Sequence, residues 1–156
     1  MSVQSLRIYV LAQHINSKVT TQVLSWTYLH QQTLGRQILR SADSITNNIS
    51  EGYARVRTGE RLQLLWYAEG SIQETKNGVR RCVQRRILDE KAGSELVTHL
   101  TRLSISLVEF MHAILEKDPE YSGPYRRKVE ERRAWRGKGR KELEEEYTIK
   151  NTGSND

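Results

Sequence analysis

Residues 35–55 read GRQILRSADSITNNISEGYAR, and the spacing within this stretch decides the fold. With Leu34 just ahead of it, Ile38, Ala42, Ile45, Ile49 and Gly52 form one helical seam, while Arg36, Arg40, Ser44, Asn47, Glu51 and Arg55 fall on another. The apolar seam predicts burial in a helical bundle. The polar seam predicts a second task, because Glu, Lys and Gln build a solvated face better than adjacent asparagines or a closing Glu51-Gly52.

Outward from this stretch the same periodicity recurs, and strand alternation does not. Ile8, Ala12, Ile15, Val19, Val23 and Trp26 step by three or four, as do Leu65, Ala68, Ile72, Thr75, Val79 and Cys82. A last stripe runs through Leu96, Leu100, Leu103, Leu107, Phe110 and Ile114. Breaks are expected at 28–33, 56–59 and 88–89, with Thr58 and Asp89 as helix N-caps. Connections this short set neighbouring helices antiparallel, so the expected fold is all-α, an up-down-up-down four-helix bundle over residues 1–117. The last helix also carries Val97, Ile105, Val108, Met111 and Leu115, which suit either a wide core face or a contact between subunits.

The character changes after Lys117. Residues 118–124, DPEYSGP, hold both prolines of the chain and predict a linker. Residues 125–156 follow as a charged tail, partly helical or disordered. Arg126 to Lys141 contains nine basic residues, two glutamates and Trp135, before Glu142, Glu144, Glu145 and Glu146 reverse the sign. Such a block buries too little apolar area to offset its ordering entropy. Its functional alternative is Trp135 stacking on a base or docking in a partner's groove while Arg126 and Arg127 neutralise phosphates.

A chain of 156 residues is long enough for one core, and 37% hydrophobic with 28% charged residues describes a helix-friendly mixture with a charged surface. It has no apolar run of membrane-spanning length and no signal-peptide pattern, so a cytoplasmic location is expected. Cys82 is the one cysteine, which rules out an intrachain disulfide. The net charge of +6 points to an anionic partner, and Lys76, Arg80, Arg81, Arg85 and Arg86 concentrate it within three helical turns. His14, His30, His99 and His112 lack metal-ligand spacing, and no phosphate-binding glycine loop is present. Glu51 and Glu74 sit among arginines that hold carboxylates ionised. No catalytic residue, metal or cofactor is predicted, and the chain is expected not to be an enzyme.

The polar seam has a structural reading. Residues 67–75, YAEGSIQET, present Ala68, Gly70 and Ser71, and close approach at Gly52 and Gly70 would let Arg40, Asn48, Glu51, Arg55, Ser71 and Glu74 form one network across the second and third long helices. The pattern Gln37-x-x-Arg40-x-Ala42-x-Ser44-Ile45-x-x-Asn48-Ile49-x-Glu51-Gly52-Tyr53-x-Arg55, then Ala68-x-Gly70-Ser71-x-x-Glu74, resembles the four-helix-bundle proteins encoded in intervening sequences of bacterial 23S ribosomal RNA genes. Thr46, Ser50 and Ala54 depart from it, standing where proline, alanine and glycine are usual. The resemblance implies a homopentamer related to the accessory variability proteins of diversity-generating retroelements, which bind a reverse transcriptase and nucleic acid.

Two functions are therefore expected. One is a basic, homo-oligomeric accessory protein that binds nucleic acid, RNA or a DNA-RNA hybrid, through Lys76 to Arg86, together with a reverse transcriptase. The other is a protein-interaction scaffold of a mobile-element or defence system, with partner choice residing in the tail.

Overall fold

The computed structural model describes Val3 and residues 6–135. Its helices are α1 (Arg7–Leu24), α2 (Tyr28–His30), α3 (Arg36–Ala54), α4 (Thr58–Gln84) and α5 (Glu90–Lys117), with a π-helical turn, Gln31–Gly35, leading into α3. A further helix, α6, covers 124–135, and no strand occurs among the described residues. The expected break at 28–33 is thus helical: Thr27 caps α2, and the chain winds through the wide π turn directly into α3.

Each predicted stripe faces the core. Ile8, Ala12, Ile15, Val19 and Val23 of α1, the Leu34 to Gly52 seam of α3, and Leu65 to Cys82 of α4 are buried. α3 lies most extensively on α4, α4 on α5, and α1 against both α3 and α5. Contacts fix the directions. Ser41 meets Thr75 and Ser44 meets Ser71, so α3 and α4 run antiparallel. Asn16 meets Asp43 across α1 and α3, and Ser104 meets Glu69 across α4 and α5, in the same opposed sense as the short connections require.

Two glycines let α3 and α4 approach closely. A Cβ on Gly52 would sit 3.2 Å from Leu65 Cγ and 3.3 Å from the Arg61 carbonyl oxygen, and one on Gly78 only 2.7 Å from Ile38 Cγ1. Gly70, expected at this contact, has nothing within 4 Å of such a Cβ and is exposed. Its phase on α4 turns it outward, and Gly78 takes the place it was given.

The helix ends follow local chemistry. Asp89 caps α5 by accepting the Ala92 N–H at 3.1 Å. Thr58 does not cap α4; Arg57 occupies the cap position without a side-chain bond, and the Thr58 hydroxyl donates to the Asp118 carboxylate instead. α4 closes with the Ile87 N–H reaching back to the Cys82 carbonyl at 2.9 Å, which places Arg86 in the left-handed region at φ 58°.

The charged segment after Lys117 folds back on the bundle. Arg126 donates Nε to the Tyr121 carbonyl at 2.7 Å and Nη2 to the Asp118 carbonyl at 2.9 Å, pinning the turn that precedes α6. Val129 is fully buried, and the Arg132 guanidinium bonds Glu69 Oε1 from Nε at 3.2 Å and Nη2 at 2.8 Å. Glu69 also accepts from Ser104 at 2.6 Å and from Gln73 at 3.0 Å. Up to Trp135 the expected solvated tail is therefore a docked helix. Val129, the partly buried Tyr121 and Tyr125, and the ion pair of Arg132 with buried Glu69 do the anchoring that composition alone does not reveal; Arg136 onward lies outside the described residues. On α5, Val108, Met111 and Leu115 are buried within this chain, and only Ile105 of the surplus stripe is exposed.

Removing one partner of a buried pair leaves the other desolvated and unpaired. Arg132→Ala should lower the unfolding free energy by about 3 kcal/mol, read as a lower urea midpoint. Arg133→Ala, whose pair with Glu109 is exposed on both sides, should change it by under about 1 kcal/mol.

Candidate nucleic-acid interface

Of the six side chains predicted to form a network, the structure brings Ser71 and Asn48 together and leaves the rest outside. Ser44 Oγ lies 2.9 Å from Ser71 Oγ, and Asn48 Nδ2 donates to the Ser44 carbonyl at 2.8 Å and to its hydroxyl at 3.0 Å. Arg40, Glu51, Arg55 and Glu74 are exposed and, among the described residues, share no ion pair or hydrogen bond across α3 and α4. The predicted charged network is instead a seam of hydroxyls, with Asn48 bonded to it at Ser44. Thr75 donates to Ser41 Oγ at 2.8 Å and sits 2.8 Å from the Ser71 carbonyl; Ser41 in turn reaches the Ile38 carbonyl at 3.0 Å.

The residues that sequence reasoning missed carried a readable signal. Ser41 and Ser104 are polar at core phase on their helices, and Glu69 falls four residues after Leu65 and three before Ile72, both in the buried stripe. A polar residue at such a phase needs an internal partner.

The predicted basic cluster lies at the C-terminal end of α4. Arg80, Arg81, Arg85 and Arg86 are exposed and make no ion pair among the described residues, whereas Lys76 is half-buried. Arg80 Nη1 reaches Asn77 Oδ1 at 3.4 Å. Cations here complement the carbonyl end of the helix dipole, which removes part of the cost of gathering like charges. Because α3 and α4 are antiparallel, Arg36 and Arg40 at the start of α3 share this end of the molecule. Burial pushes the Cys82 thiol up despite the opposing pull of Arg81 and Arg85, so it stays protonated beneath the guanidinium groups.

The tail cations do not join this cluster. Arg126 is committed to backbone carbonyls near the opposite end of α4, and Arg127 pairs with Glu131 at 3.6 Å. Trp135 is exposed, with the Arg132 guanidinium 5.3 Å from its ring centroid. His14 and His99 meet edge-on across α1 and α5 with centroids 6.0 Å apart; burial, with Lys18, His14 and Arg102, lowers the His99 pKa against the pull of Glu95. No group of three or more potential metal ligands gathers among the described residues, and no helix there is long and apolar enough to cross a membrane.

A family model described as 23S rRNA-intervening sequence protein matches residues 4–109. The chain is similar to a structure from Bacteroides thetaiotaomicron described as a protein of unknown function from the S23 ribosomal protein family. The TM-score is 0.61 at 16% identity, covering 67% of this chain and 97% of that one, a likeness of fold alone. No curated protein matches.

The hydroxyl seam and the exposed acids should respond differently to mutation. Thr75→Val should cost about 1 kcal/mol by removing a buried donor. Glu51→Ala and Glu74→Ala should each stay within about 0.5 kcal/mol. Urea titrations of the three variants make the comparison.

Proposed function

The chain belongs to the 23S rRNA-intervening sequence protein family, and from that premise we propose that it is a non-catalytic basic accessory protein. In this reading an up-down-up-down four-helix bundle self-associates, holds RNA or a DNA-RNA hybrid by its phosphates, and serves a partner enzyme such as a reverse transcriptase. The observation that carries it is the group Arg80, Arg81, Arg85 and Arg86, exposed and without acidic partners among the described residues at one end of α4. Guanidinium groups free of internal ion pairs can neutralise phosphates and release counterions, which gives binding with little sequence preference. The pentamer is carried over from the family resemblance; exposed Tyr28 and Leu29 supply apolar surface for self-association. A ring of five would gather five such clusters about one axis and sum their fields.

The conformation of Arg86 adds weight. A non-glycine residue in the left-handed region costs on the order of 1 kcal/mol, and glycine is the common choice at this helix-end position. An arginine kept there trades stability for charge. The scaffold reading has its own support in the docked α6, which presents exposed Trp135 on a rigid helix as a protein anchor would be presented.

Reversing Arg80, Arg81 and Arg85 to glutamate should abolish RNA retention in filter binding while the helical circular dichroism stays intact. Wild-type affinity should fall steeply with salt, and salt-indifferent retention would count against the phosphate mechanism. Arg86→Gly should move two measurements in opposite directions. Stability should rise by about 1 kcal/mol, and the salt slope of RNA binding should drop by about one phosphate contact.

A further inference from the structure

A groove runs along the outer face of α3, walled by Leu24 and Leu39 and by Gln32, Arg36, Arg40 and Asn47. Its shape depends on the π-helical turn. Gly35 is pressed so closely on α1 that a Cβ would lie 2.7 Å from Val23 Cγ1 and 3.1 Å from the His30 carbonyl oxygen. Gln31 fastens the turn by donating its amide to the Leu24 carbonyl at 3.2 Å and the Trp26 carbonyl at 2.9 Å. π-helical turns interrupt α-helices most often beside functional sites. Here Gln31 and Gln32 of the turn line a groove that stands open among the described residues.

The polar groups of the groove divide into those already used and those available. Ser44 and Asn48 are tied to each other and to Ser71 and make a fixed floor. Asp43, the groove's one acid, accepts from Asn16 Nδ2 at 2.8 Å. Arg36, Arg40, Asn47 and Gln32 are exposed and make no hydrogen bond or ion pair among the described residues. Two uncommitted guanidinium groups one helical turn apart, two uncommitted amides and two leucines are what remains.

We propose that this groove seats a nucleotide of a single-stranded nucleic acid. The phosphodiester lies against Arg36 and Arg40, the face of an unstacked base lies on Leu24 and Leu39, and the amides of Asn47 and Gln32 meet the base's hydrogen-bonding edge. An amide offers donor and acceptor together, which matches a base edge better than a phosphate. An apolar wall beside those amides suits a base turned out of a stack, and that favours a single strand over a duplex. Arg36 and Arg40 outnumber the Asp43 carboxylate, so the groove is net positive, which favours a polyanion. The proposal rests on the reading that the chain binds nucleic acid, and it assigns the single-strand preference to the outer face of α3 rather than to the arginines ending α4.

The test compares an RNA single strand of about ten nucleotides with a duplex of the same sequence, by fluorescence anisotropy on the full chain. The double variant Gln32→Ala with Asn47→Ala leaves the charge unchanged and alters only exposed side chains. It should weaken single-strand binding about tenfold and leave duplex binding as in the wild type, and Arg40→Gln should add to the loss. A double variant that binds the single strand like the wild type, while the α4 charge reversal still abolishes binding, overturns this proposal alone. A wild type that binds neither RNA overturns the nucleic-acid reading itself. Light scattering is run on the same samples, and a fall in oligomer mass with RNA binding unchanged would assign the groove to a contact between copies of the chain and overturn the proposal.

Discussion

The closeness of α3 and α4 is the constraint from which the rest of the molecule follows. Gly52 and Gly78 remove the Cβ atoms that would hold the helices apart, Leu65 and Ile38 pack into the space they leave, and between these two points Ser41, Ser44, Ser71 and Thr75 meet across the contact. Buried hydroxyls are costly without partners. Here the hydroxyls pair across the seam, and Ser41 and Thr75 each reach a carbonyl of their own helix as well, so the contact is tight and its polar atoms are satisfied. The charged side chains Arg40, Glu51, Arg55 and Glu74 project outward from this contact, while Glu69 turns to the α5 side, where Ser104 and Arg132 meet it. The exposed arginines and asparagines are the other face of a seam built from small residues.

That outward projection gives the surface its division of labour. At one end, arginines gather where the carbonyls of α4 terminate, and the antiparallel register brings the first turns of α3 to the same end. Along the outside of α3, amides and guanidinium groups border a groove opened by the π-helical turn. Near the other end of α4, the polypeptide returns as α6, and Lys128 lies 5.1 Å from the centre of the Tyr125 ring and 5.9 Å from that of Trp66. Arginines in the first two places make no ion pair among the described residues; in the third, Arg126 and Arg132 are spent on holding the fold.

Periodicity carried the fold because every core stripe needs only side-chain type and spacing to be recognised. Leu34 through Gly52 and Leu65 through Cys82 were legible in that way, and Asp89 was legible as a cap. The candidate site was legible less fully. Exposure of Arg80 to Arg86 follows from an acid-free run, but whether Glu51 and Glu74 turn inward depends on rotation about the helix axis by less than one residue step, which hydropathy does not resolve. Gly70 and Gly78 look alike in a sequence, and only the phase set by the whole bundle separates the exposed one from the one under Ile38. α6 was the least legible element, because its docking depends on Val129 and on a partner for Arg132 more than 60 residues away.

That distant partner has a consequence for exchanging parts between relatives. The family match ends at residue 109, so Glu69 lies inside the shared region and Arg132 outside it. A chimera that joined this bundle to another member's shorter ending would inherit a carboxylate under a roof that had been removed. A relative given this C-terminal helix would hold its guanidinium only where an acid stands at the place of Glu69. The shared bundle and the added helix are thus joined at one carboxylate, and transplanting either one means carrying the other half of that pair along.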